Sequence, residues 1–356
     1  MALHLCLQHT HDDGGTNGPT MAQMGLAGFD EDWVSIMSYN DTRGFNNNKW
    51  DPATPMILDV VGLQYLYGKN TSTSGDDTYR LAERNLYKSI YDFGGINTID
   101  VSASEKAWTI NLQTNVGAPK GGISYLAPET LYWLLGDFNT IVGSAYADTI
   151  NGDDLNNVIT GGLGDDLLYG NGGLDTIKYN FEKAKYNITT THVTGIEGSD
   201  YINSIERIVF SDSSLAFDTE SSNSAGGIYR TYKAAFNRTP EKTGFGYWID
   251  RADNGASAVQ MAEEFVWSAE FQTVYGVTTS DNYLVGNDIE AVVDLFYQNV
   301  LGRTPDPVGL AYYTSTIVAQ SKTGGQVLAE IADSAENRAN LLSTIETGMN
   351  FDLWLG

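Results

Sequence analysis

The stretch Gly143-Ser-Ala-Tyr-Ala-Asp-Thr-Ile-Asn151, Gly152-Asp-Asp-Leu-Asn-Asn-Val-Ile-Thr160, Gly161-Gly-Leu-Gly-Asp-Asp-Leu-Leu-Tyr169, Gly170-Asn-Gly-Gly-Leu-Asp-Thr-Ile-Lys178 is four rows of nine residues in unbroken phase. Each row opens on glycine. The sixth position holds Asp148, Asn157, Asp166 and Asp175, and the eighth holds Ile150, Ile159, Leu168 and Ile177. Sequence self-similarity at a fixed period marks a chain that builds its core by stacking rows. Glycine lets successive turns aim carbonyl oxygens at one point, and the carboxylate beside them adds charge. The eighth positions face inward as a thin apolar core.

Such turns suit calcium, which takes six to eight hard oxygens. In the β-roll that this repeat resembles two rows make one turn of the coil, so residues 18 apart are expected to stack: Asp148 over Asp166, and Asn157 over Asp175. The first pair offers two carboxylates and is expected to bind calcium more tightly than the second. The candidate calcium residues in the rows are Asp148, Asn157, Gly161, Gly162, Gly164, Asp166, Gly170, Gly172, Gly173 and Asp175. Weaker echoes lie upstream, at Asn139-Thr-Ile141 and in Tyr91-Asp-Phe-Gly-Gly-Ile-Asn-Thr-Ile-Asp100. The second adds Asp92, Gly94, Gly95, Asn97 and Asp100. The spacing excludes an EF-hand, and the bland alternative is a glycine-rich turn region that binds nothing.

The rest of the composition agrees with a cation as partner. Lys and Arg number 20 against 45 Asp and Glu, a formal charge of −25, which argues against nucleic acid and anionic membrane surfaces. At 356 residues and 42% hydrophobic, the chain can bury the cores of two or three domains. A single cysteine, Cys6, excludes an intramolecular disulfide framework. No segment approaches the roughly 18 apolar residues of a membrane span. The start, Met1 to His9, lacks the basic region of a secretory signal, so export would need another route. The end, Asn350-Phe-Asp-Leu-Trp-Leu-Gly356, sets an acid among large apolar residues, compatible with a C-terminal signal for a type I exporter.

Composition shifts divide the chain into three blocks. Residues 1–69 close on Asp59-Val-Val-Gly-Leu-Gln-Tyr-Leu-Tyr-Gly68, a short helix stopped by glycine. Residues 70–220 read as short strands joined by tight turns. Residues 226–350 follow a Ser-, Asn- and Gly-rich linker, take helical spacing and repeat internally. Tyr232-Lys-Ala-Ala-Phe-Asn-Arg-Thr-Pro240 returns 65 residues later as Tyr297-Gln-Asn-Val-Leu-Gly-Arg-Thr-Pro305, and Ser-Ala-Glu recurs at Ser268 and Ser334. Each copy is expected to place a break at Arg-Thr-Pro, with Thr capping the next helix and Pro at its first position. Arg238 and Arg303 are expected to hold that break through nearby acids or carbonyls. Tyr247, Trp248, Tyr312 and Tyr313 are expected in the helical core.

The first block contains Trp33-Val-Ser-Ile-Met-Ser-Tyr-Asn40, preceded by Leu5-Cys-Leu-Gln-His-Thr-His-Asp-Asp-Gly-Gly15. With Leu63 to Gly68 and the nine-residue rows, this order resembles the serralysin family of secreted zinc metalloendopeptidases, whose calcium-binding repeats form an RTX β-roll. The resemblance implies zinc held by the histidines of His-Glu-x-x-His-x-x-Gly-x-x-His, with the glutamate as general base. It makes His9 the third histidine (His4 enters only on a one-residue slip), Met37 the Met-turn methionine under the metal, and Tyr39 the transition-state tyrosine. Leu3 and Cys6 stand where the second histidine and the glycine belong, and the glutamate and first histidine would fall before Met1. The alternative for His9 and His11 is a pair of surface histidines in a polar loop.

The C-terminal pair resembles a domain of unknown function that occurs in bacterial extracellular and surface-layer-associated proteins. The fold expected is multidomain α+β: a partial metzincin C-terminal subdomain, a parallel β-roll and an all-α C-terminal domain of two repeats. The function expected is the C-terminal portion of a calcium-dependent zinc metalloendopeptidase, secreted, acting on protein or peptide, in a truncated reading frame that keeps calcium binding without proteolysis. The alternative is a non-catalytic, calcium-binding extracellular or surface-layer protein with a cell-surface partner.

Overall fold

The computed structural model describes residues 53–68, 75–84, 86–120, 130–222, 224–280, 283–285 and 289–354. His4, His9, Met37 and Tyr39 lie outside the described residues. The chain divides into two compact units, one of residues up to Tyr179 together with Ala184–Ile205, the other of Asn180–Lys183 and everything from Glu206.

In the first unit, helix α1 (Ile57–Tyr67) ends at Gly68, as its sequence predicts, with φ at +81°. Its first turn is tied by the Met56 N–H donating to Asp59 Oδ2 at 2.7 Å. Among the described residues twelve strands follow: β1 (Thr78–Arg80), β2 (Tyr87–Asp100), β3 (Trp108–Asn111), β4 (Val116–Pro119), β5 (Leu131–Val142), β6 (Thr149–Asn151), β7 (Val158–Thr160), β8 (Leu167–Tyr169), β9 (Thr176–Lys178), β10 (Tyr186–Ile188), β11 (His192–Gly195) and β12 (Gly198–Asn203). They build a mixed sheet dominated by two parallel stacks. One stack runs β3, β6, β8, β12. The other runs β1, β2, β5, β7, β9. Strand β4 joins them by antiparallel pairing to both β3 and β5.

From β5 onward the chain winds alternately between the stacks, so residues 18 apart pair: Ile150 with Leu168, and Ile159 with Ile177. The three-residue strands follow from their pattern. In β6, β7 and β9 the middle residue is buried while its neighbours point partly outward, the alternation that pleating imposes. The eighth-position residues Ile150, Ile159, Leu168 and Ile177 are fully buried, as expected. They line up with Ile110 and Ile202 in one stack and with Ile99 and Ile141 in the other. The stack is therefore longer than the four in-phase rows. Strand β12 joins 34 residues after β8, because the β10–β11 hairpin intervenes and breaks the nine-residue phase.

The second unit begins earlier than position 226, and it is not all helical. Strands β13 (Arg207–Val209) and β14 (Ser214–Ala216) pair with each other, and β14 pairs with a terminal strand, Met349–Phe351. That pairing ties both ends of the unit into one sheet and moves the boundary to Glu206. Between them stand α2 (Ala225–Phe236), α3 (Lys242–Asp253), α4 (Ala258–Trp267), α5 (Ala269–Tyr275), the hairpin β15 (Thr278–Ser280) and β16 (Tyr283–Val285), then α6 (Ile289–Leu301), α7 (Pro307–Val318), α8 (Gly324–Ala332) and α9 (Ala335–Ile345); the terminal strand is β17. The repeat is thus four helices, given twice. Phe265, Phe271 and Tyr275 of the first copy share a buried core with Phe296, Leu328 and Ile331 of the second.

The expected cap is corrected. Glu241 and Asp306, two residues beyond the threonines, occupy the N-cap positions, and Asp306 accepts from the Gly309 N–H with Pro307 in the first turn. A carboxylate beside the helix start displaces threonine because it also meets the positive end of the helix dipole. Ser268 and Ser334 cap α5 and α9 by accepting from the N–H groups of Phe271 and Asn337. Arg238 and Arg303 reach the glutamates of Ser-Ala-Glu, Glu270 at 3.3 Å and Glu336 at 2.7 Å. Trp248 and Tyr313 pack partly buried against the core, whereas Tyr312 lies on the surface at 48% exposure, away from the expected core position. No helix among the described residues is long and apolar enough to cross a membrane.

Candidate calcium site

The turns that precede the short strands gather the sixth-position residues in two files. Asp148, Asn157, Asp166 and Asp175 are all fully buried. Each file is threaded by the same bond, from the backbone N–H of one row to the carboxylate of the row stacked on it. In the first file Asp148 N–H donates to Asp166 Oδ1 at 2.8 Å, and Asp166 N–H to Asp200 Oδ1 at 3.0 Å. In the second, Asn157 N–H donates to Asp175 Oδ1 at 2.8 Å. The stacking of residues 18 apart is as the nine-residue period predicts.

The oxygens of the first file are used unequally. Asp148 Oδ1 accepts from Trp108 N–H at 2.5 Å and Ser144 Oγ at 3.0 Å, while its Oδ2 accepts from Ser144 N–H at 2.5 Å. Asp200 Oδ2 accepts from the Tyr179 hydroxyl at 2.8 Å. Asp166 Oδ2 is buried with no hydrogen-bond partner. A buried carboxylate oxygen left bare is costly, and a cation removes that cost. Among the described residues no three His, Cys, Asp or Glu side chains converge as a metal-binding group. An ion here must therefore take most of its oxygens from backbone carbonyls, which calcium accepts readily.

The glycines make that approach possible. Gly162, Gly164 and Gly173 have φ of +103°, +119° and +103°. A Cβ on Gly162 would stand 1.9 Å from the Ser144 carbonyl oxygen, and one on Gly161 would stand 2.3 Å from Asp166 Oδ2. In the second file a Cβ on Gly170 would lie 2.4 Å from Asp175 Oδ2, and one on Gly173 would lie 2.6 Å from the Leu155 carbonyl oxygen. Gly172 is less tight, with Asp154 Oδ1 at 3.1 Å. At Gly162, Gly170 and Gly173, where a Cβ would run into backbone carbonyl oxygens, a side chain would push the stacked turns apart.

The upstream echo is brought together only in part. Asp92 and Asn97 are buried at a bulge where the β2–β5 register shifts. Asp92 Oδ1 accepts from Gly94 N–H at 3.1 Å and its Oδ2 from the Tyr79 hydroxyl at 2.8 Å. Asn97 donates to the carbonyls of Gly94 and Asp137 at 2.9 and 3.0 Å, and Gly95 turns with φ at +78°. Asp100 stands apart at the strand end, accepting from Ser102 and facing Arg80 at 3.4 Å. Asp200 is the residue that the nine-residue spacing misses. Its signal is Gly198-Ser-Asp-Tyr-Ile202, a glycine, acid and apolar row out of phase with the others.

Burial pushes the Asp166 carboxyl up to about 7, with the neighbouring Asp200 and Asp148 charges adding to the rise and the Asp148 N–H opposing it. Burial also raises Asp148 and Asp200. A free aspartate titrates near 3.9, so between that pH and about 7 the calcium-free fold binds more protons than the unfolded chain. Its stability then falls as pH rises through this window. Calcium-stripped protein is expected to melt at a lower temperature at pH 8 than at pH 5, with Asp166→Asn flattening the trend; equal melting at both values would contradict it. In titration calorimetry Asp166→Ala is expected to cost more calcium affinity than Asn157→Ala, and equal losses would remove the distinction between the files.

Comparison with known proteins finds similarity of two kinds. Residues 262–341, from α4 to α9, match a family described as Domain of unknown function (DUF4214). Serralysin C of Dickeya chrysanthemi is 35% identical over 111 residues, covering 25% of this chain and 23% of that protein. Serralysin of Proteus mirabilis is 28% identical over 176 residues, 44% of this chain and 34% of its own length. Metallopeptidase AprA of Pseudomonas marginalis is 32% identical over 179 residues, 44% of this chain and 36% of its own. The chain thus spans about a third or less of the length of these curated relatives, to which a substantial part of it is similar.

Proposed function

We propose that the two stacks form an RTX-type β-roll that binds calcium, within the C-terminal portion of a serralysin-like, secreted zinc metalloendopeptidase exported by a type I route. The observation that carries this reading is the bare, buried Asp166 Oδ2 beside three glycines whose turns admit no side chain. The likeness to serralysins supports the family. Asp166 would hold one ion together with carbonyls of the Gly161, Gly162 and Gly164 turn. Asp175 would hold another with the Gly170, Gly172 and Gly173 turn, and Asp92 with Asn97 a weaker one. Calcium would supply the positive charge that the buried carboxylates lack. Asp148, whose oxygens accept from Ser144 and Trp108, would add its charge to the same site as Asp166.

Zinc belongs to this reading only through resemblance, with His9 as ligand, Met37 beneath the metal and Tyr39 near the substrate. No His-Glu pair occurs within these 356 residues, and the family's mechanism uses that glutamate as general base on the metal-bound water. The second reading, a non-catalytic calcium-binding surface or adhesion protein, is favoured by the helical unit, whose residues 262–341 match a domain of unknown function. Metal analysis and calorimetry of the purified chain, with casein hydrolysis in calcium plus zinc, test both. Calcium binding without hydrolysis is expected. Hydrolysis would overturn the inactive reading, and absence of calcium binding would overturn the β-roll reading itself.

A further inference from the structure

The first unit carries a second concave feature, and its chemistry is opposite to that of the acidic turns. A hollow of about 360 Å³ opens beside β1 and the start of β2, lined among others by Tyr79, Arg80, Arg84, Leu86, Lys88 and Tyr132. Among the described residues no acidic side chain lines it, in a chain where acids outnumber bases 45 to 20. Arg80 meets Asp100 through its Nε at 3.4 Å and keeps 76% of its side chain exposed. Arg84 and Lys88 are exposed, and neither forms an ion pair among the described residues. Elsewhere in the chain buried or clustered arginines are consumed: Arg207 by Asp218 and Asp253, Arg230 by Asp333, Arg238 and Arg303 by glutamates.

The walls are fixed before any ligand arrives. The Tyr79 hydroxyl donates to Asp92 at 2.8 Å, and the Tyr132 hydroxyl donates to the Ala82 carbonyl at 3.1 Å while accepting from its N–H at 3.3 Å. Pinned rings spare a ligand the entropy of ordering them. Strand β1 pairs only with β2 among the described strands, leaving the hollow at a sheet margin. We propose that this hollow docks an acidic peptide segment, its carboxylates on Arg84 and Lys88, with Arg80 at the rim and an adjoining apolar side chain against Leu86 and the tyrosine rings. A hydrated inorganic anion would use the cations alone. A peptide uses both the cations and the apolar wall between them, and β1 offers a margin along which an extended chain can lie. The net charge of −25 repels such a peptide at a distance, so binding must come from these local contacts.

The proposal does not rest on the calcium reading and is tested on the full chain in calcium buffer. Fluorescence anisotropy with a fluorescein-labelled Glu-Phe-Glu-Asp-Phe-Glu peptide is expected to show saturable binding that weakens with added salt. The double variant Arg84→Glu, Lys88→Glu is expected to weaken it by about tenfold or more, with its circular dichroism unchanged. Should that variant fail to fold, Arg84→Gln with Lys88→Gln makes the same test with smaller perturbation. No saturable binding, or equal binding by a folded variant, would overturn the proposal. Full displacement by millimolar inorganic phosphate would also overturn it in favour of a small-anion site.

Discussion

The rest of the first unit depends on one bond repeated in file: the backbone N–H of each sixth-position residue donates to the carboxylate of the next row. It sets the 18-residue register, and so places Ile150 on Leu168 and Ile159 on Ile177. It also buries negative charge in a row. A hydrogen bond to a charged group returns about 1.5–3 kcal/mol, whereas taking a carboxylate out of water costs several kcal/mol. The ladder alone therefore does not support ionised aspartates. Protonation meets the deficit at low pH, as the raised Asp166 carboxyl indicates, and at neutral pH a divalent cation would meet it.

Much of this is legible in the sequence because the repeat does two jobs at once. The first-position glycines and sixth-position acids specify the turns, and the eighth-position Ile and Leu specify the strands between them. What the spacing does not reveal comes from elements that enter out of phase. Asp200 and Ile202 complete a stack only after the β10–β11 hairpin has inserted, and no local period announces them. Asp100 has the residue type of a ligand, yet Ser102 and Arg80 hold it at a strand end. Asp148 looks equivalent to Asp166, but serine at 144, where Gly161's row has Gly162, gives Asp148 a hydroxyl donor that Asp166 lacks.

In the second unit the repeat is equally plain and the boundary is not. The β13–β14 hairpin is too short to stand out from the preceding strand-rich block, and only its pairing with Met349–Phe351 assigns it to the helices. The shared Arg-Thr-Pro and Ser-Ala-Glu motifs have one structural explanation: Arg238 and Arg303 lean on Tyr232 and Tyr297, with centroids at 5.0 and 5.3 Å, and reach the glutamates that open α5 and α9. Those arginines fasten each copy of the repeat. Among the described residues Arg84 and Lys88 have no such acidic partners, which is why they and not the repeated arginines are the chemistry left over for a ligand.

The central claim is that the stacked turns keep their register at neutral pH only when a cation neutralises the buried carboxylates. Hydrogen-exchange mass spectrometry at pH 7.5, with calcium and after its removal, addresses that directly. The account predicts that amides between Gly143 and Lys178 are protected with calcium and exchange rapidly without it, while the helices from Ala258 to Ile345 change little. Equal protection of the turns in both conditions would contradict it.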